Sequence, residues 1–203
     1  MDTMTITTPA DVLTFWFGQL EPDADAAPHQ KALWFRKSDE TDATIRERFG
    51  SALTAARAGS LAGWESDARS WLALVVVLDQ FSRNLYRDDA RAFASDAQTR
   101  DIVRRGLDQG LEGSLHAMER VFIYLPFEHA EDLDTQGEAV RGLTSLVSEC
   151  SPAQRESCQA FLDYAHRHRD VIARFGRFPH RNAVLGRETT PVERDYLDAG
   201  GGF

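Results

Sequence analysis

Apolar residues recur at helical spacing along nearly the whole chain. Val12, Phe15 and Trp16 form a first stripe, opened by Thr8-Pro9-Ala10-Asp11 and closed by Gly18. Thr8 suits a helix cap, Pro9 the first helical position, Asp11 the positive helix end and Gly18 the exit from it. Residues 19–28, rich in Asp, Ala and Pro, read as a loop. Leu33, Trp34 and Phe35 mark a second helix, and a third starts near Ser38 or Asp39 and runs through Ile45, Phe49 and Leu53 to Gly59. From Asp67, the positions Trp71, Leu74, Val75, Leu78 and Phe81 keep the same spacing, which outweighs the strand preference of Val75-Val76-Val77.

The pattern continues through the second half. One helix is expected from Asp88 to Gln109, closed by Gly110, and another from Met118 to Leu125, which Pro126 must kink or stop. A further helix spans Glu131 to Glu149. Ser151-Pro152-Ala153-Gln154 repeats the cap-plus-proline start for a helix running to Arg174, with Gly176 as its stop. Thr190-Pro191-Val192-Glu193 opens a short last helix, and Gly200-Gly201-Gly202 is expected to fray. No stretch alternates as a strand, and no Gly-rich phosphate loop follows one. The expectation is an all-α fold of roughly seven to nine helices, an array of antiparallel helical hairpins resting on short connections. One domain spans residues 1–203, with the extreme N-terminus and residues 199–203 frayed. No repeat of about 34 residues identifies tetratricopeptide units.

Composition narrows the function. Hydrophobic residues at 42% and charged residues at 27% exclude a disordered chain. A net charge of −9 supplies no basic field, so non-specific binding to nucleic acid or an anionic membrane is not expected. Lys31 and Lys37 are the only lysines among 23 basic residues; arginine, the better fork for carboxylates and phosphates, supplies the rest. Cys150 and Cys158 form neither a disulfide framework nor a zinc site. With no basic leader and no apolar run longer than Trp71 to Leu78, a cytoplasmic protein is expected.

Candidate chemistry gathers at four places. In Asp79-Gln80-Phe81-Ser82-Arg83-Asn84, the polar groups begin where an apolar helix ends, and Asp79 and Arg83 can pair four apart on one face. They make either a structural ion pair or the polar wall of a cavity. In Pro126-Phe127-Glu128-His129-Ala130-Glu131-Asp132, carboxylates surround one histidine beside a helix break. Such a group can poise a general base or hold a divalent metal, although an acidic helix start explains the carboxylates equally. His129 and Glu131 are weak metal candidates, because the paired histidines of a helical zinc site are missing. In the last long helix, Phe161, Ala165, His168, Ile172 and Phe175 share a stripe, which reads His168 as a core residue and His166 as exposed. The pairs Trp16-Phe17 and Trp34-Phe35 read as core packing, with the stacking wall of a pocket as the alternative. The richest segment is Phe175-Gly176-Arg177-Phe178-Pro179-His180-Arg181-Asn182 with Leu185-Gly186-Arg187. Its arginines either lock the fold by meeting Asp79, Glu128 or Glu131, or, where one lacks a carboxylate, form an anion site.

Five segments in order carry a resemblance that spans nearly the whole chain: Phe15-Trp16-Phe17-Gly18, Trp34-Phe35, Leu78 to Asn84, Tyr124 to Asp132, and Phe175 to Arg187. The chain resembles the bacterial domain-of-unknown-function family nine-two-four. The resemblance implies an all-helical fold of tetratricopeptide-repeat-like type, and no established activity, substrate or catalytic residue. Ser82 and Ala130 depart from the family pattern, which carries proline and serine there, so no serine nucleophile exists at position 130.

Three functional expectations follow. The first is a helical binding module whose pocket takes an anionic small molecule or peptide through Asp79, Gln80, Arg83, Asn84, Arg177, His180, Arg181, Asn182 and Arg187. The second is a hydrolase- or lyase-type enzyme, with His129 or His180 as base and Asp79 or Glu131 orienting it, and a metal assisting if one binds. The third is a purely structural polar network. The sequence names no cofactor.

Overall fold

Two helices are apolar on every side, and such helices belong in the middle of a fold. A computed structural model describes residues 7–203 and has no strand among them. Its helices are α1 (Pro9–Phe17), α2 (Pro28–Phe35), α3 (Asp39–Arg57), α4 (Ala68–Val76), α5 (Ser82–Leu85), α6 (Asp96–Asp108), α7 (Ala117–Glu128), α8 (Leu133–Glu149), α9 (Arg155–Phe175) and α10 (Pro191–Asp198). Every residue from Trp71 to Ser82 is buried, as is α7 from Met118 to Glu128 except for Arg120. These two segments pack on each other. Helix α1 covers α4, α3 covers α5, α6 lies on α4 and α7, and α8 packs against both α7 and α9. The frayed N-terminus expected from the sequence lies outside the described residues.

Capping chemistry sets most boundaries. Thr8 and Asp11 form a reciprocal capping box at α1, and Thr190 with Glu193 does the same at α10. Asp67 and Asp132 cap α4 and α8. Gly18 and Gly176 leave α1 and α9 with φ of 62° and 69°.

Three expectations need correction. The helix expected from Asp88 starts at Asp96, because Asp88 adopts a left-handed φ of 58° and Asp89 caps a separate 3-10 turn, Ala90–Phe93. Pro126 does not stop α7, which runs on to Glu128. Burial of that helix on all sides outweighs the lost backbone bond, and the ladder resumes where the His129 N–H donates to the Leu125 carbonyl at 2.9 Å. Residues Val77–Phe81 form a wide π turn between α4 and α5 rather than a continuous α-helix. Such turns let a helix shift register and often lie at functional sites. At the chain's end, Phe203 is placed against α9, with its ring 3.5 Å from that of His168.

The core is one aromatic-rich cluster in which Trp16, Phe17, Phe49, Trp71, Phe81 and Phe122 are almost wholly inaccessible. Cys150 and Cys158 are free and buried. No helix among the described residues is long and apolar enough to cross a membrane.

Helix α6 approaches α4 so closely that a Cβ on Gly106 would lie 2.1 Å from the Trp71 ring. That ring is pinned by its Nε1–H donating to the Ile102 carbonyl at 3.0 Å, so it cannot retreat freely. Gly106→Ala is expected to cost about 1–3 kcal/mol in denaturant unfolding through overpacking. An unchanged midpoint would mean the α4–α6 contact is looser than described.

Candidate functional site

The two buried helical segments end close together, so their polar terminal residues lie in the interior. A helix end leaves carbonyl groups without partners, and these attract donors and cations. Arg83 Nη1 donates to the Asp79 carbonyl at 2.9 Å. Arg181 Nη1 donates to the His129 carbonyl at 3.0 Å, and the Gln136 amide to the carbonyls of Glu128 and Ala130. The arginines of the sequence are therefore placed in part by unfinished backbone.

Asp79 is the centre of the charged groups. One of its oxygens lies 3.0 Å from Arg83 Nη1 and 2.9 Å from His129 Nδ1, and the other accepts from the Gln80 amide at 2.7 Å. Burial opposes the charge on Asp79, but Arg83 and His129 outweigh it and hold the carboxyl well below its ordinary range. Burial, followed by the nearby Arg83 charge, lowers the pKa of His129. His129 is thus neutral near pH 7, with Nδ1–H donated to Asp79 and Nε2 left without a protein partner among the described residues. That is the arrangement of an oriented general base.

Beside this pair lies a cavity of about 810 Å³, a size suited to a small organic molecule. One wall is a face of α9: Ser157, Ala160, Phe161, Tyr164 and His168. His168 lies eleven positions after Ser157, so the wall is about 16 Å long. Lys31, Trp34, Phe35 and Lys37 line the cavity from α2 and the residues that follow it, while Gln80, Arg83, Asn84 and Arg87 line it from α5 and its surroundings. His180, Arg181 and Phe203 complete it from the C-terminal segment. Five cations therefore line the cavity, including both lysines of the chain, against the two carboxyl groups of Asp88 and Glu128. This is a local inversion of charge in a protein of net charge −9.

The cations are not equally committed. Arg83 bridges Asp79 and Asp96, Arg87 pairs with Asp42, and Lys31 contacts Asp25 at 2.5 Å and Ser157 Oγ at 2.7 Å. Arg181 donates to the His129 carbonyl, but Asp96 at 4.0 Å is its one carboxylate contact among the described residues, and its Nε is buried without a partner. Its guanidinium lies over the rings of Phe93 and Phe178, 4.6 and 4.4 Å from their centres. Burial and then the neighbouring Arg83 charge push Arg181 down to about 10, which leaves it charged at pH 7. Lys37 has no carboxylate partner among the described residues.

Glu128 is the opposite case. It is 2% exposed, and no cation touches it among the described residues. Burial, and then the Asp79 charge, pushes its carboxyl up to about 8. Glu128 is therefore mostly neutral at pH 7. Its Oε1 lies 3.0 Å from His168 Nδ1, while Oε2 is buried without a partner. His168 Nδ1 also lies 3.0 Å from the Tyr164 carbonyl, which can only accept, so that nitrogen carries the hydrogen. Burial takes His168 down to about 3, and burial with Arg181 takes His180 down to about 4.

The expected site residues divide into two groups. Gln80, Arg83, Asn84, His129, His180 and Arg181 line the cavity, and Asp79 stands behind His129. Arg177, Asn182 and Arg187 do not line it. Arg177 forks onto Glu193 at 2.6 and 2.8 Å, joined there by the Asn182 amide at 3.3 Å. Arg187 forks onto Glu131 at 2.6 and 2.9 Å, and Glu131 also accepts from the Phe178 N–H. The Glu131 carboxylate is thereby turned to Arg187 while His129 pairs with Asp79, so the structure does not join His129 and Glu131 as a metal pair. No cluster of three or more metal-ligating side chains occurs among the described residues. The acidic helix start offered as one explanation of Glu128 does not apply, because Glu128 is the last residue of the buried helix α7. Of the two roles offered for Trp34-Phe35, Trp34 is buried in the core and also borders the cavity, while Phe35 is 57% exposed at the cavity wall. His168 is buried as expected, but its ring borders the cavity too.

A profile described as bacterial protein of unknown function (DUF924) matches residues 12–201. No curated protein matches the chain. Among solved structures, the chain is similar to a protein of unknown function from Agrobacterium tumefaciens. The two are 38% identical with a TM-score of 0.79, over 95% of this chain and 97% of that one.

The raised pKa of Glu128 has a sign for stability. Its contribution is fully present below the ordinary carboxylate value of 4.5 and is lost as pH rises toward about 8, because the unfolded chain ionises first. Glu128→Gln is expected to be more stable than wild type at pH 9, by on the order of a few kcal/mol, and to lose that advantage near pH 4. Melting curves across pH check this; an advantage independent of pH would mean that Glu128 ionises normally.

Proposed function

We propose that this chain, which belongs to the bacterial protein family of unknown function DUF924, is a helical binding protein that holds a small anionic molecule in the cavity along α9. The observation that carries this reading is Arg181: a buried guanidinium at the cavity, with its Nε unpartnered and no carboxylate nearer than 4.0 Å. Leaving a charged donor unsatisfied is costly, and a bound anion removes that cost. Phe35, Phe161 and Tyr164 supply an apolar wall for the rest of the ligand. An extended peptide ending in a carboxylate fits the same groove less well, because Arg181 lies inside rather than on an open surface.

Calorimetry with phenylacetate, benzoate, phenyl phosphate and an acidic peptide tests the reading. Binding of at least one aromatic anion is expected, with Arg181→Met weakening it by about tenfold or more, the value of one charge-assisted contact. No binding by any of them, or full affinity in the variant, would refute it.

The Asp79–His129 pair supports a second reading, acid–base catalysis on the bound molecule. A neutral imidazole fixed by a buried carboxylate, with its second nitrogen at a cavity, is equipped to take a proton. For any turnover found, His129→Gln should lower kcat by about 10²–10⁴ while leaving anion binding within a few fold. Loss of binding without loss of turnover would exclude His129 as the base.

A further inference from the structure

Glu128 carries chemistry that the cationic lining does not explain. A carboxyl group in a cavity with Arg83, Arg87, Arg181, Lys31 and Lys37 would ordinarily ion-pair with one of them. Instead its Oε1 faces His168 Nδ1 at 3.0 Å, and Oε2 is buried with no partner. An ionised oxygen buried in that way is expensive, whereas a protonated one is a donor waiting for an acceptor.

We propose that Glu128 acts as a neutral hydrogen-bond donor to the ligand, and that the ligand is a carboxylate-bearing molecule whose oxygen accepts that hydrogen. The inference rests on the anion-binding reading and specifies its ligand class. The contact is an O–H···O⁻ bond between an acid and a carboxylate, among the stronger hydrogen bonds available to a protein. No bond is made or broken. When the anion enters above the pH at which Glu128 ionises, Glu128 takes one proton from solvent, so binding and proton uptake are coupled.

The surroundings isolate this titration. Asp79, on the π turn, stays ionised and opposes ionisation of Glu128. His168, on α9, and His180, beside Arg181, are held down to about 3 and about 4, and His129 is also lowered. Arg83 and Arg181 remain charged at neutral pH, and Asp96 lies beyond them, bonded to Arg83 at 3.1 Å. Among these groups, Glu128 is the one whose charge changes near pH 8; Lys31, Lys37, Arg87 and Asp88 line the cavity beyond them.

The test is calorimetry with phenylacetate on the full chain from about pH 6 to pH 9, for wild type and Glu128→Gln, together with a ¹³C NMR titration of the Glu128 carboxyl carbon. Glutamine keeps a donor but cannot ionise. Wild-type affinity should be flat at low pH and about tenfold weaker one unit above the Glu128 pKa. The glutamine variant should bind with no such fall. The carboxyl carbon should titrate near 8 in the free protein and higher with phenylacetate bound. A carbon that titrates near 4.5 overturns the proposal whatever binds, and so does wild-type binding that does not vary with pH. Binding of phenyl phosphate in preference to every carboxylate overturns the ligand class. Failure of all anions to bind refutes the anion-binding reading, and this inference falls with it.

Discussion

A single buried carboxylate, Asp79, ties the interior together. It sits 1% exposed on the π turn, where the long apolar segment from Trp71 ends. Without a partner its burial would cost many kilocalories per mole, and the charge would be lost. Arg83, His129 and the Gln80 amide all supply hydrogens to it, so three segments are fixed by one group. Arg83 extends the chain of charges to Asp96, which Arg181 approaches in turn. The orientation of α5, the tautomer of His129 and the position of Arg181 thus depend on a charge that only burial makes strong. Removing it would strand Arg83 and free the His129 ring together.

The same economy produces the cavity. A helix that is apolar on all sides must be central, and its polar end is then carried into the interior with it. Backbone carbonyls at those ends demand donors, which arrive as Arg83, Arg181 and Gln136. Once Arg177 and Arg187 are taken up by Glu193 and Glu131, the terminal segment is locked in place, and Arg181 is held inside with its fork incompletely used. The sequence offered two roles for these arginines, locking the fold or holding an anion. Geometry supports the first for Arg177 and Arg187, and the second is the role we assign to Arg181.

Helical periodicity and caps made the all-α architecture legible, since both are local: Thr8 with Asp11, Asp67, and Thr190 with Glu193 act within one turn of their own residues. The failures were also local in cause but not in resolution. Pro126 stays helical because tertiary burial overrides a backbone preference, and the break at Asp88 depends on a left-handed residue that periodicity does not register. At the site, Asp79, Arg83, His129 and Arg181 could be nominated because polar residues beside apolar helix ends stand out. Lys31, Lys37, Tyr164 and Phe203 could not, because they reach the cavity from segments distant in sequence. Glu128 was visible as a residue but not as a neutral acid, because its protonation follows from burial and from the missing cation.

The central claim is that the interior cationic end of this cavity is a place for an anion. The most direct measurement is an anomalous difference map from crystals soaked in bromide, an anion with no shape preference of its own. A bromide peak is expected within contact of the Arg181 guanidinium, and it should disappear in crystals of Arg181→Met. Peaks confined to exposed arginines on the outer surface, with the cavity holding only water, would contradict it.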